Sequence, residues 1–343
     1  MTKTWARHSD IAREAKVSLA TVDRVLNNRP GVSIRTSNRI WEAIDRLQGN
    51  GGNGLKVNHP PLILDVILPG GSNSFLNMLA KSTQELGDKL LGDGITIRCH
   101  RIEGFSPKIL ADCLMKVGRD SNGIAVMALE NPVVREAVNT LSDRNIPVVA
   151  LVSNITTQKT LGYVGLNNRA AGRTAAYLIN LFAQNKTGGI ALFEGSIDLA
   201  YSDHQEREFG FTDALREYSP GLKVIGKWAT KDDHEEAFIQ SQSMLSSNPD
   251  LVAIYSIGGG IRGIARALEE SGKAGDVIFI GHDLTPYTRE YLINGTLNAV
   301  INQNPVNEAR AVIDMLVDYH RKDNIENPQV HIPTEVFFRE NLP

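Results

Sequence analysis

Hydrophobic positions in the first fifty residues recur with the spacing of short amphipathic helices. The segments "DIAREA" and "SLATVDRVLN" are separated only by "KVS", and "NRIWEAIDRL" follows after a second break. Ser18 and Ser33 precede the second and third segments, where a serine hydroxyl can accept a hydrogen bond from the free amides of the first turn. The pattern predicts three short helices, the first two joined tightly enough to form a helix-turn-helix.

From residue 60 onward, short runs rich in β-branched residues alternate with amphipathic helical patterns. One series contains "LILDVIL", "GITIRCH", "GIAVMAL" and "IPVVALV", and a second contains "GIALFE", "KVIGKW", "LVAIYSI" and "DVIFIGHD". Such alternation predicts a parallel sheet covered on both faces, and two series predict two lobes. Because ligands of open α/β sheets bind beyond the carboxyl ends of the strands, two facing lobes would form a ligand-binding cleft.

Length and composition fit an ordinary globular protein of two or three domains, since the 343 residues are 42% hydrophobic and 22% charged. The chain has no apolar run of the roughly 18 to 20 residues that cross a bilayer, and its first ten residues lack a secretory signal pattern. We therefore expect a cytoplasmic protein without a membrane segment. Cys99 and Cys113 have no metal or redox spacing and are interpreted as core residues.

Charge is distributed unevenly along the chain. Residues 1–50 carry nine basic and five acidic side chains, a net charge of +4, whereas the remainder carries 27 basic and 34 acidic side chains, a net charge of −7. A basic head on an acidic body indicates that only the head meets a polyanion.

The segment "DIAREAKVSLATVDRVLNNRPGVS", followed by "EAIDRL", resembles the DNA-binding head of the lactose-repressor (LacI) family. The resemblance implies that Leu19, Ala20 and Arg24 face base edges, where a guanidinium can bond guanine O6 and N7 together. Short polar or basic groups near helix ends would contact phosphates. These are Ser18, Thr21, Asn27, Ser33 and Arg35. The alternative is a three-helix dimerisation module whose arginines are solvated.

The head and its linker depart from the family pattern. Lys16 stands at a turn position where the family favours Gly, and Asp23 stands where Ser is common, so the operator sequence cannot be inferred from relatives. Family members follow the head with a hinge helix that wedges apolar side chains into the minor groove. Here residues 49–60 read "GNGGNGLKVNHP", which predicts a flexible tether in which Leu55 alone could act as a wedge.

The body resembles the ligand-binding domain of the same family, which is similar to periplasmic sugar-binding proteins. The resemblance rests on "YVGLNNRAAGRTAAYL", "REFGFTDAL", "VIFIGHD" and "AVINQNP". It implies an all-α helix-turn-helix head (residues 1–48) and a two-lobed α/β effector and dimerisation domain (61–343) with parallel sheets. Three crossings, expected near Leu161, Leu284 and Asn324, would divide it into lobe 1 (61–161 and 285–323) and lobe 2 (162–284 and 324–343).

Six residues are candidates for effector contacts, five of them at strand or helix ends and the sixth, Arg207 in "REFGF", implied by the resemblance. Carboxylate, amide and guanidinium groups bond hydroxyls in pairs, and an aromatic ring stacks on the apolar face of a sugar. The candidates are Phe75, Glu130, Asn154, Arg207, Asp283 and Gln303. For Glu130 and Asn154 the alternative is loop capping, and for Phe75 a core position. Ile257 stands where some relatives carry a polar ligand contact, which favours an effector with fewer hydroxyls than a hexose.

A rival interpretation rests on "GGGIRG" at residues 258–263, a dinucleotide fingerprint with Asp283 twenty residues further on. It predicts an NAD-dependent oxidoreductase, although no acid or base for hydride transfer stands nearby. An exported solute-binding protein would share the body but not the head. The acidic run "DDHEE" (residues 232–236) resembles a metal cluster, yet acids at a helix start usually complement the helix dipole. We expect no metal, no cofactor and no enzyme activity.

The combined prediction is a homodimeric transcription regulator, for which repression is favoured over activation. Its two heads would read half-sites of a near-palindromic DNA operator. A small sugar, polyol or sugar acid would close the cleft and change the spacing of the heads. A coupling of about 1 to 3 kcal/mol would change operator affinity roughly 5- to 150-fold.

Overall fold

The computed structural model describes residues 7–26, 32–47, 60–195, 201–231, 233–321 and 329–343. Within the described part of the head lie α1 (His8–Glu14), α2 (Leu19–Leu26) and α3 (Ile34–Leu47). Their apolar faces form one small core that includes Ile11, Val22 and Ile40. The helix-turn-helix is confirmed. Both serine caps form as well, with Ser18 Oγ and Ser33 Oγ accepting from the amides of Thr21 and Thr36 at 3.2 Å.

The turn between α1 and α2 contains Lys16 in the left-handed conformation, with φ 52°. A side chain other than Gly costs roughly 1 kcal/mol there. Arg39 of α3 donates to the carbonyl oxygens of Ala15 at 2.5 Å and Lys16 at 3.3 Å. A guanidinium thus satisfies the free carbonyls at the end of α1, which supports the turn without glycine.

The body begins with a series of alternating strands and helices. These are β1 (Leu62–Pro69), α4 (Ser74–Leu90), β2 (Ile95–Ile102), α5 (Pro107–Val117), β3 (Gly123–Val126), α6 (Pro132–Asp143), β4 (Val148–Leu151) and β5 (Gly162–Gly165). The second series is α7 (Asn168–Ala183), β6 (Gly188–Glu194), α8 (Ser202–Tyr218), β7 (Leu222–Ala229), α9 (His234–Ser247), β8 (Leu251–Ser256), α10 (Ile261–Glu270), β9 (Ile278–His282), α11 (Pro286–Asn294) and β10 (Ala299–Asn302). The chain ends with α12 (Pro305–Arg321), β11 (Gln329–His331) and β12 (Glu335–Phe337).

The strands form two six-stranded sheets, ordered β11-β5-β4-β3-β1-β2 in lobe 1 and β12-β10-β9-β8-β6-β7 in lobe 2. Every pairing is parallel except that of β12 with β10. All residues of β3, β4, β8 and β9 are buried, because helices cover both faces of each sheet. The predicted two-lobed α/β architecture is confirmed.

The chain crosses between the lobes later than the sequence pattern predicts. β5 still belongs to the sheet of lobe 1, so the first crossing lies beyond Leu161. β9 and β10 both belong to lobe 2, so the second crossing follows β10 and not Leu284. The third runs between β11 and β12, whereas Asn324 lies outside the described residues. The expected boundaries were wrong because β5 and β10, each only four residues long, extend their sheets by one more strand before the chain leaves the lobe.

Helices α7 and α8 of lobe 2 pack with their backbones in contact. A Cβ atom added to Gly172 would lie 1.9 Å from the carbonyl oxygen of Arg207, and one added to Gly210 would lie 2.0 Å from that of Arg169. Only glycine permits this approach. The contact fixes the position of α8, the helix that carries Arg207.

We expect Gly210→Ala to destabilise the protein by about 1 to 3 kcal/mol, because the added methyl group forces α7 and α8 apart. Thermal unfolding would measure the effect. The control is Gly92→Ala, since a Cβ atom at Gly92 meets nothing within 4 Å. Equal melting temperatures for the two variants would contradict the close packing.

Candidate functional site

A cavity with about 740 Å³ of empty space, part of it open to solvent, lies between the lobes. Lobe 1 contributes the start of α4 and residues beyond β3 and β4. Lobe 2 contributes α8, the turn before α10 and residues beyond β9. The cavity therefore lies at the carboxyl ends of the strands, where ligands of open α/β sheets bind.

A buried hydrogen-bond network crosses one side of this cavity. Arg207 is only 1% exposed, and its Nε donates to Asn168 Oδ1 at 2.8 Å. Its Nη1 donates to the carbonyl oxygen of Ile257 at 2.9 Å, and its Nη2 donates to Gln303 Oε1 at 2.5 Å. Gln303 Nε2 in turn donates to both carboxylate oxygens of Asp283 at 3.0 Å. Three of the predicted effector residues, Arg207, Asp283 and Gln303, thus form one connected unit.

Asp283 follows β9 in the left-handed conformation, with φ 71°. Burial raises the pKa of its carboxyl group to about 6, while Arg207 and the hydrogen bonds from Gln303 oppose the rise. A carboxylate held this way is costly in an empty cavity and is stabilised by any ligand hydroxyl that donates to it.

The other three predicted effector residues divide between two places. Phe75, in the first turn of α4, lines the main cavity. Glu130 and Asn154 line a second cavity beside the crossings and not the main one. Glu130 accepts from Arg135 and from the Thr156 amide, and Asn154 Oδ1 accepts from the Ile155 amide at 2.8 Å. Both side chains are engaged within lobe 1, so the loop-capping alternative describes them better.

Sequence reasoning missed polar side chains on the lobe 2 wall of the cavity, including Asp203, His204 and His282. Among the described residues, Asp203 Oδ1 and His204 Nδ1 are buried without a hydrogen-bond partner. Such atoms are rare in folded proteins and mark places where a ligand or water completes the bonding. The signal in the sequence was the spacing of Asp203 and Arg207, which places both on one face of α8.

The lobes also touch each other directly beside the cavity. The Asn154 amide donates to Ser202 Oγ at 2.8 Å, and the Ser202 amide donates to Ser153 Oγ at 3.2 Å. The rings of Phe105 in lobe 1 and Tyr201 in lobe 2 are nearly parallel, with centroids 6.4 Å apart. We call these five residues the interlobe clasp.

Two glycines of "GGGIRG", Gly260 and Gly263, allow close packing against Thr230 and α9. A Cβ atom on Gly260 would come within 3 Å of Thr230 and Ala237, and one on Gly263 would lie 2.1 Å from the carbonyl oxygen of His234. The acidic run at the start of α9 is also explained locally, because Asp233 Oδ1 accepts from the amides of Glu235 and Glu236 at 2.9 Å. Asp232 lies outside the described residues. These features give the dinucleotide and metal interpretations no support.

In the head, α2 turns its apolar Val22 inward and leaves Leu19, Ala20 and Arg24 exposed. Leu19 is 56% exposed. Ser18 and Ser33 are exposed at the starts of α2 and α3, and Thr21 is partly exposed beside Ser18. Asn27 and the side chain of Arg35 lie outside the described residues.

Two family descriptions match this chain. "Bacterial regulatory proteins, lacI family" matches residues 9–48, and "Periplasmic binding protein domain" matches residues 66–323. The chain belongs to the periplasmic binding protein domain family and carries a lacI-family head. This combination makes it a DNA-binding transcription regulator, and the oxidoreductase alternative is not supported.

Similar proteins match either nearly the whole chain or its two-lobed body. Catabolite control protein A of Priestia megaterium is 25% identical over 342 residues, 97% of the regulator and 98% of the relative. The D-allose-binding periplasmic protein of Escherichia coli is 26% identical over 48% of the regulator and 52% of the relative. A solute-binding protein from Burkholderia graminis in complex with D-arabinose has a TM-score of 0.75 at 22% identity, covering 82% of the regulator and 96% of that chain.

A second solved structure is a solute-binding protein from Bacillus halodurans with bound myo-inositol. Its TM-score is 0.73 at 20% identity, and the match covers 82% of the regulator and 96% of that chain. At this identity the likeness shows the fold of the two lobes. No helix within the described ranges combines the length and apolarity needed to cross a bilayer.

The raised pKa of Asp283 predicts a pH-dependent stability. The pKa of this carboxyl group is about 6 in the folded state, above its ordinary value of 3.8. The buried carboxylate therefore lowers the free energy of unfolding by nothing below pH 3.8, and by an increasing amount as the pH rises from 3.8 through 6. We expect Asp283→Asn to gain about 2 kcal/mol over the parent protein between about pH 4.5 and pH 7.5 in urea unfolding. Asp276→Asn, which makes the same charge change at an exposed site, is the control. A constant difference for Asp283→Asn would contradict the shift.

Proposed function

We propose that this regulator binds a DNA operator through α2 and adjusts its affinity when a small sugar, polyol or sugar acid binds between the lobes. The observation that carries the proposal is the buried Arg207–Gln303–Asp283 network. It presents a guanidinium, an amide and a carboxylate to one cavity, next to the ring of Phe75. Paired polar groups at the edge and an aromatic face are what polyol recognition requires.

Base reading is assigned to the exposed face of α2. Arg24 can bond guanine O6 and N7, while Leu19 and Ala20 can contact a thymine methyl group. Ser18, Thr21, Asn27, Ser33 and Arg35 are assigned to phosphates, which set register without reading sequence. One head offers little contact area, so we propose a homodimer whose two heads read half-sites of a near-palindromic operator.

The assignment of a sugar-like effector has two supports. Asp203 Oδ1 and His204 Nδ1 add an acceptor and an imidazole nitrogen to the network, which together suit several neighbouring hydroxyls. The names of the similar proteins include D-allose, D-arabinose and myo-inositol, all polyhydroxylated molecules. A ligand that bonds both lobes favours their closed arrangement in proportion to its differential affinity.

Control of DNA binding follows from lobe closure. Closure would rotate one lobe against the other and change the spacing of two heads in a dimer. A coupling of about 1 to 3 kcal/mol corresponds to a roughly 5- to 150-fold change in operator affinity. We favour a repressor, whose repression of transcription is either relieved or strengthened when the effector binds.

Arg24→Ala tests the base-reading assignment. Loss of a bidentate contact should weaken operator binding by about 1 to 3 kcal/mol and leave binding to random DNA nearly unchanged. Competition binding against random duplex would measure the ratio. Arg13→Ala is the matched control, because Arg13 is an exposed α1 side chain paired with Asp10 at 2.9 Å. Retained discrimination by Arg24→Ala would refute the role.

Asp283→Ala tests the effector assignment. A thermal-shift screen that begins with D-allose, D-arabinose and myo-inositol should first identify a ligand, since a ligand at a hundred times its Kd adds about 2.7 kcal/mol of stability. The variant should then lose the effector response of operator binding but keep operator affinity. Asp276→Ala, with the same charge change at an exposed site of lobe 2, should respond normally. An unchanged response in Asp283→Ala would refute the cleft assignment.

A further inference from the structure

The main cavity is chemically asymmetric. Every ionisable side chain among its described lining residues belongs to lobe 2, with Asp203, His204, Arg207 and Asp283 among them. Lobe 1 contributes no ionisable residue to the described lining; its share consists of the uncharged polar residues Asn73 and Ser74 and four apolar residues, Phe75, Leu76, Met127 and Val152. A ligand between the lobes therefore meets a polar wall on one side and an apolar wall on the other.

Two polar side chains of lobe 1 near the main cavity already have hydrogen-bond partners within the lobe. Glu130 is engaged with Arg135 and the Thr156 amide, and lines the second cavity. Asn73 lines the main cavity beside Ser74, but its Oδ1 accepts from the Leu76 amide at 3.2 Å as the cap of α4. The surface opposite the Arg207–Gln303–Asp283 network remains mainly carbon.

The position of Val152 strengthens the case that the apolar wall is functional. Val152 is only 2% exposed and has φ 66°, in the left-handed region that β-branched residues rarely adopt. The Tyr163 hydroxyl donates to its carbonyl oxygen at 2.9 Å, which holds this backbone in place. Gly or Asn would relieve the strain, yet a β-branched residue stands at this position in the cavity lining. Strained residues of this kind cluster at ligand clamps.

We infer that the effector is a 6-deoxysugar whose hydroxyls face lobe 2 and whose methyl group packs against Phe75, Met127 and Val152. At that place, the hydroxyl of a hydroxymethyl group would be removed from water and would find no hydrogen-bond partner. Burial of a methyl group there is favourable. The inference rests on the proposed function, because it specifies the sugar that the same cavity binds.

Matched sugar pairs test the inference by titration calorimetry. D-Fucose and D-galactose differ only at the 6-hydroxyl, as do L-rhamnose and L-mannose. In at least one pair we expect the deoxysugar to bind roughly 10- to 100-fold more tightly. The inference is overturned if hexoses bind and no pair shows this preference, and also if D-allose, D-arabinose or myo-inositol binds without either deoxysugar. Both results leave the proposed function standing. Failure of every sugar to bind overturns the proposed function as well.

Met127→Gln adds an amide to the apolar wall at similar volume. It should reduce the preference for the deoxysugar at least roughly 10-fold. The control is Met115→Gln on α5, which is partly buried and away from the cavity. Val152→Thr keeps the shape of the side chain and serves as a second variant if Met127→Gln does not fold. A preference unchanged in both cavity variants overturns the inference.

Discussion

The buried guanidinium of Arg207 constrains the rest of the effector domain. A charge with almost no access to water must be matched by acceptors with good geometry, and here they come from three separate segments. Asn168 begins α7, Ile257 follows β8, and Gln303 follows β10. Two of these segments are the connections between the lobes. The charge in α8 therefore ties the ligand cavity to the places where the lobes must bend.

Several features could be read from the sequence because local rules determine them. Alternation of apolar strands and amphipathic helices predicted the two lobes, and Ser18 and Ser33 marked the starts of α2 and α3. Asp283 and Gln303 were found because strand ends meet at one edge of a parallel sheet, whereas Arg207 was found through the resemblance of "REFGF" to the family. The crossings were misplaced because β5 and β10 are too short to give a periodic signal.

Side-chain partners were harder to predict than backbone positions. Glu130 and Asn154 follow strands as a ligand-binding residue should, but neighbouring amides and Arg135 occupy their oxygens. The sequence gives no measure of such competition. "GGGIRG" was ambiguous for a similar reason, since glycines that approach a pyrophosphate and glycines that allow helices to touch have the same spacing. Only the distances around Gly260 and Gly263 separate the two cases.

The interlobe clasp contributes to the free energy that holds the two lobes together. Ser202 bonds Ser153 and Asn154 directly, so part of the free energy that joins the lobes comes from contacts within the protein. The effector then adds to a pre-existing bias. Transcription from the target promoter should show a basal level fixed by this clasp, and the dynamic range of the response is bounded before any ligand arrives.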